Sequence, residues 1–144
     1  MIDLRDPDLD PATVVRALDL RPHPEGGQYR ETWRDSAPDG ERGAGTAILF
    51  LLAAGERSHW HRVDAAELWL WHAGAPLLLE RDRHPPLQLG PDFRAGEALQ
   101  GVVEAHDWQA ARSLGRWTLC SCVVAPAFVF SGFTLAPPGW EPPS

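Results

Sequence analysis

A chain of 144 residues and 15.9 kDa has room for one hydrophobic core and none for a second. Its net charge of −7, from 20 acidic and 13 basic residues, excludes the basic surface that grips a phosphate backbone, so nucleic acid is not an expected partner. Every basic residue is Arg, and with neither Lys nor Asn in the chain, Schiff-base chemistry, the phosphate-binding lysine of nucleotide loops and glycosylation sequons are excluded as well.

The chain opens with Met1 to Leu9, which carries Asp3, Asp6, Asp8 and Pro7 rather than a charged start followed by an apolar run. No apolar stretch is long enough to span a bilayer, so the expected setting is the cytoplasm, with no membrane partner. One helix is predicted near the start. Asp10 can cap it, Pro11 suits its first turn, and Val14, Val15 and Leu18 recur at helical spacing. It is short and is expected to pack outside the main core.

After His23-Pro24-Glu25-Gly26-Gly27 the pattern changes to brief apolar and aromatic runs, punctuated by Gly, Pro and Asp every eight to twelve residues or so. That rhythm predicts an all-β sandwich or barrel. The predicted strands are Gln28 to Trp33, Thr46 to Ala53, Arg57 to His61, Glu67 to Ala73, Pro76 to Glu80, Leu87 to Gly90, Leu99 to Val103, Trp108 to Ala111, Trp117 to Val124 and Phe133 to Leu135. A single domain follows: a helical segment over 1–24, a barrel over 25–136, and an irregular Pro-rich tail over 137–144. Cys120 and Cys122 lie two apart in an apolar run and are expected to be reduced core thiols.

The chemistry concentrates in Gly55-Glu-Arg-Ser-His59-Trp-His61-Arg-Val-Asp-Ala-Ala-Glu67-Leu-Trp69-Leu-Trp71-His72-Ala-Gly74. Two histidines one residue apart on a strand share a face, so both imidazoles can meet one ion, and Glu67 can add a carboxylate from the next strand. Glu67, Trp69 and Trp71 alternate with Leu68 and Leu70, which puts the carboxylate on an aromatic face, where it is costly unless a metal or a histidine pairs with it. The same residues admit a second reading, with the histidines as hydrogen-bonded partners of Glu67 and no metal. Trp69, Trp71 and Trp108 fit either core packing or the wall of a small-molecule pocket. Arg30 can clamp a carboxylate or phosphate, or pair with a surface acid. His23, between Pro22 and Pro24, reads as a rigid loop residue; His72 faces away from Glu67; His84 and His106 carry no expected role.

The segment resembles the first motif of the cupins: Gly, His-x-His, a few residues, Glu, six residues, Gly. Five residues separate His61 from Glu67 where three or four are usual. A closer resemblance is to the cupin branch known as domain of unknown function 985, or cupin family 5. It rests on His23-Pro-Glu-Gly-Gly-x-Tyr29-Arg30-Glu-Thr32, Thr46-Ala-Ile, His61-Arg62, Glu67-Leu-Trp69, Ala73-Gly74, Trp108-Gln-Ala110 and Val124-Ala-Pro-x-Phe128, across about residues 13 to 135. The resemblance implies a double-stranded β-helix (cupin jelly-roll) barrel and a homodimer, with the strand near Gln28 to Trp33 at the contact between subunits. It implies no established reaction. Gln109 stands where the second cupin motif carries its fourth histidine, so the implied metal ligands are His59, His61, Glu67 and Gln109, holding iron, manganese, nickel or zinc.

Two functions from different classes follow. In the first, a divalent ion on those ligands drives isomerase, lyase, hydrolase or oxygenase chemistry on a small polar or carbohydrate-like metabolite; a metal-free variant uses His61 as base and Tyr29 as acid, with Glu67 beside them. In the second, the barrel binds a small-molecule ligand without turning it over.

Overall fold

The computed structural model describes residues 1–144. Helix α1 spans Pro11–Leu18. Asp10 caps it by accepting from the Ala12 N–H at 2.9 Å, and Asp19 ends it in the left-handed conformation at φ 53°. Eleven strands follow: β1 Arg21–Pro22, β2 Gln28–Arg34, β3 Thr46–Ala53, β4 Arg57–Val63, β5 Ala66–Gly74, β6 Leu77–Arg81, β7 Leu87–Leu89, β8 Gln100–Val103, β9 Gln109–Ser113, β10 Trp117–Ala125 and β11 Phe133–Leu135. All ten predicted strands are present. The two-residue β1 is too short to announce itself by alternation.

The strands form two antiparallel sheets, in the orders β1-β2-β3-β10-β5-β8 and β11-β4-β9-β6-β7. Face to face they enclose an apolar slab built from alternate residues of both. Phe50, Trp69, Cys120 and Cys122 come from the six-stranded sheet, and Leu77, Leu79, Leu89 and Ala111 from the five-stranded one. The cysteines are free and buried, and burial alone pushes the Cys120 thiol up to about 12, so they serve as small apolar groups. Helix α1 packs Val14 on the outer face of the six-stranded sheet, against Leu51 and Leu119, which is the expected place outside the main core. No helix is long and apolar enough to cross a membrane.

At one end of the slab the apolar packing gives way to polar residues. Strand β4 reaches that end with an irregularity that decides what it presents there. Ser58 pairs with Ala111 and His61 with Gln109, so three steps along β4 match two along β9. The extra residue is a β-bulge, which breaks the alternation of side chains.

A buried carboxyl and imidazole cavity

The bulge puts Ser58 and His61 on the inner face and sends His59 and Trp60 outward together. Ser58 and His61 are 0% and 1% exposed. His59 instead turns its Nε2 to the carbonyl of Pro137 at 2.9 Å, and Trp60 packs on Ala110 and Ala136 outside the slab. The expectation that His59 and His61 share a face is therefore corrected: it holds for a regular strand and fails on a bulged one.

Glu25 fills the position beside His61 that His59 was expected to take. The turn His23-Pro-Glu-Gly-Gly is closed by hydrogen bonds from the Gly26 N–H to the His23 carbonyl and from the His23 N–H to the Gly27 carbonyl, both 3.0 Å. Gly26 has φ +111°, and a Cβ there would lie 2.0 Å from the carbonyl oxygen of Arg57. Only glycine allows the turn to press this close to β4. The turn is pinned by the His59 N–H, which donates to the Glu25 carbonyl at 2.8 Å. The Glu25 side chain enters the slab end, where the Ser58 hydroxyl donates to it, and its two oxygens lie 3.3 Å from Nδ1 of His23 and from Nδ1 of His61.

Two other strands complete the cluster. Glu67, near the start of β5, accepts from Nε2 of Gln109 at 2.8 Å, and Gln109 accepts in turn from Nε1 of Trp69 at 2.9 Å. This chain crosses from one sheet to the other and orients the amide. The nitrogen of Gln109 faces Glu67, and its carbonyl oxygen is occupied by the indole. His61 Nδ1 lies 2.7 Å from the carbonyl of His59, which can only accept, so the proton sits on Nδ1 and Nε2 is left as the basic nitrogen. The His59 backbone sets the tautomer of His61, while the His59 ring, turned outward, acts on it only through a weak opposing charge.

Burial controls the charges. It pushes the Glu25 carboxyl up to about 8 against the opposing hydrogen bond from Ser58. It pushes Glu67 up to about 7, with Glu25 adding and His61 and Gln109 opposing. The His61 imidazole is lowered by burial although Glu67 and the His59 carbonyl favour its charged form, and His23 falls to about 4 through burial and the neighbouring His61. Near neutral pH the cluster consists of carboxylic acids and neutral imidazoles more than of ions.

These groups line a cavity with a free volume of about 50 Å³, room for about four water-sized groups. Tyr29 of β2 joins them, its ring 4.5 Å from that of His23, and its hydroxyl makes no hydrogen bond to the chain. The outer wall is aromatic. Phe128, Phe130 and Phe133 meet at 5.0 to 6.2 Å with interplanar angles of 62° to 85°, and Arg34 and Glu31 stand at the rim.

The other expected site residues lie elsewhere. Trp69 is 1% exposed within the slab, Trp71 donates to the Ala75 carbonyl at 3.0 Å, and Trp108 sits on the outside, 4.5 Å from Trp140 and under the Arg62 guanidinium. None of the three lines the cavity. Arg30 points to the opposite face of β2 from Tyr29 and is exposed, without an ion pair. The metal ligand set does not fit an ion either: His59 faces out, the Gln109 oxygen is taken, and no group of three or more His, Cys, Asp or Glu side chains is placed to hold a metal. His23 and Glu25 are the residues that sequence reasoning passed over. The only local signal was the Glu-Gly-Gly run, which by itself reads as a turn; the close backbone approach that requires Gly26 comes from β4.

The profile of the family described as Cupin superfamily (DUF985) matches residues 12–136. A crystal structure of a protein from Shewanella oneidensis is similar at 34% identity and a TM-score of 0.84, over 89% of this chain and 85% of that one. A hypothetical protein from Leishmania major is similar at 30% identity and a TM-score of 0.78, over 88% and 86%. The DMSP lyase DddQ from Ruegeria pomeroyi shares the fold at 20% identity and a TM-score of 0.56, over 80% of this chain and 64% of that one. A search of curated proteins finds no match.

Proposed function

The chain belongs to the cupin superfamily, in the family of domain of unknown function 985, and on that footing we propose that it is an acid–base enzyme of isomerase or lyase type acting on a small polar metabolite. One observation carries the reading. His61 lines the cavity with Nδ1 committed to a backbone carbonyl, so Nε2 is the nitrogen available to a ligand, and Tyr29, whose hydroxyl has no partner in the chain, lines the same cavity. A neutral imidazole of lowered basicity is a base able to take a proton at neutral pH and to give it back. Protonated Glu25 and Glu67 supply donors for a carbonyl or carboxylate oxygen whose charge grows as a neighbouring C–H is broken. In this reading Nε2 of His61 removes the proton, Tyr29 returns one on another face or to a leaving group, and the phenyl wall excludes water.

The test is proton exchange. Wild-type protein incubated in D2O with a panel of small hydroxy, keto and amino acids is expected to erase the C–H signal of its substrate in proton NMR. His61→Ala should slow that exchange by about 10²–10⁴-fold and Tyr29→Phe should slow it too. Exchange that survives in His61→Ala, or that vanishes with a chelator and returns with a divalent ion, overturns the reading.

The proposal extends to a two-fold dimer. Trp33, Ala47, Val123, Leu68 and Val102 line up across five strands on the outer face of the six-stranded sheet, with Trp33 and Val102 49% and 46% exposed. An apolar row of this kind on β2 and its neighbours suits a self-complementary contact. Gel filtration is expected to give twice the chain mass, and a monomer would contradict it.

A further inference from the structure

The cavity holds more carboxyl groups than it has basic groups free to pair with them. Three carboxyl groups line it, Glu25, Glu31 and Glu67, against a single guanidinium, that of Arg34. Arg34 is spent: its Nε and Nη2 each donate to Glu31 at 2.8 Å, and its Nη1 donates to the Phe128 carbonyl at 3.0 Å. The two imidazoles are buried and lean neutral. With both buried carboxyls ionised, even a protonated His61 would leave one of them without a counter-charge. Glu67 is only 7% exposed, yet its Oε2 accepts no hydrogen bond from the chain, while Oε1 is satisfied by Gln109. That open oxygen is reached from the cavity, so a donor or a cation entering it can meet it there.

The wall beside it is suited to the second. Phe128, Phe130 and Phe133 stand at 62° to 85° to one another and form an aromatic corner, with Tyr29 completing the lining. Aromatic rings attract a poorly hydrated organic cation through their negative faces, most strongly where water is excluded. An anion would meet these faces and the carboxyl oxygens with no free cation to hold it. The space, about 50 Å³, limits the buried head to a few heavy atoms.

From the aromatic corner, the open oxygen of Glu67 and the excess of carboxyl groups, we propose that the cavity binds a small organic ammonium head, methylated or primary. This rests on the reading of the cavity as a small-molecule site and names the class of ligand it takes. The cation lies between the phenyl corner and Glu67, whose carboxylate becomes its counter-ion.

Isothermal calorimetry of the full chain with the series from methylammonium to tetramethylammonium chloride tests it, with sodium chloride, sodium acetate and the neutral isostere tert-butanol as controls. At least one ammonium is expected to bind saturably, at least tenfold more tightly than tert-butanol or acetate. Glu67→Gln, which keeps the shape and removes the charge, should weaken that binding at least tenfold. Phe130→Ala should do likewise, and because Phe130 is 58% exposed its removal spares the fold. Equal binding of tert-butanol, tighter binding of acetate, an affinity untouched by Glu67→Gln, or no saturable ammonium binding overturns the proposal. Ammonium binding without His61-dependent proton exchange would sink the acid–base reading alone; His61-dependent exchange without ammonium binding would sink the ligand class alone.

Discussion

The two faces of β4 do opposite work. Its inner face gives Ser58 and His61 to a cavity of acids and imidazoles, where burial keeps groups away from their ordinary charge states. Its outer face gives His59 and Trp60 to a clamp that holds the C-terminal tail. The Ala136 N–H donates to the Trp60 carbonyl at 2.9 Å, His59 holds the Pro137 carbonyl, and Trp140 packs at a tilt against Trp108. One extra residue in the β4 to β9 register separates the two roles. A strand without it would put His59 beside His61 and leave Trp60 alone outside.

The largest effect is expected on the outer face. Trp60→Ala removes a side chain 6% exposed, from between Ala110 and Ala136, and should destabilise the fold by about 3–5 kcal/mol. Urea unfolding measures it. A loss below 1 kcal/mol would mean that the tail is not clamped. The next effect belongs to the inner face. Gly26→Ala forces a Cβ onto the Arg57 carbonyl at φ +111° and should cost about 2–4 kcal/mol. It also draws Glu25 out of the cavity, so it should weaken ammonium binding, whereas Trp60→Ala should not. Equal effects of both variants on binding would erase the distinction between the faces.

Much of the fold was legible because its signals are local. Alternation and turn residues mark ten strands, and Asp10 with Pro11 marks the helix. The site was legible only in part. His61, Glu67 and Tyr29 do share one cavity, but the bulge that excludes His59 is set by pairing with β9, about fifty residues away, and leaves no trace in Ser-His-Trp-His. Glu25 lay within the quoted Glu-Gly-Gly run, yet an acid before two glycines looks like an ordinary turn until β4 is seen against it. Trp108 was read toward the pocket because nothing local tells that the tail returns to cover it.

The inner face alone should make stability depend on pH. A carboxyl whose folded value lies above its unfolded one stabilises the fold while protonated, and that contribution is lost as pH rises through the folded value. For Glu25 and Glu67 the loss runs up to about 8 and about 7. His23 and His61, lowered by burial, destabilise the fold only below the ordinary imidazole range, so the window above pH 6.5 isolates the acids. Between pH 6.5 and 8.5 the protein should lose about 3 kcal/mol, followed by urea unfolding at each pH. Glu25→Gln should flatten most of that slope. An unchanged slope in this variant would show that the charge states of the inner face are ordinary.

The smallest effect is the sharpest test of the bulge. His59→Ala removes one exposed hydrogen bond, from Nε2 to the Pro137 carbonyl, and should cost no more than about 1 kcal/mol. His61 should not notice, because the group that fixes its tautomer is the His59 carbonyl, which alanine keeps. The nitrogen shifts of His61 in 15N NMR report this directly: Nδ1 protonated and Nε2 bare in wild type, and the same in His59→Ala. If the variant instead moved the His61 signals, or lowered ammonium affinity as Glu67→Gln does, the His59 ring would belong to the cavity. The strand would then run without its bulge, and the two faces of β4 would be one site.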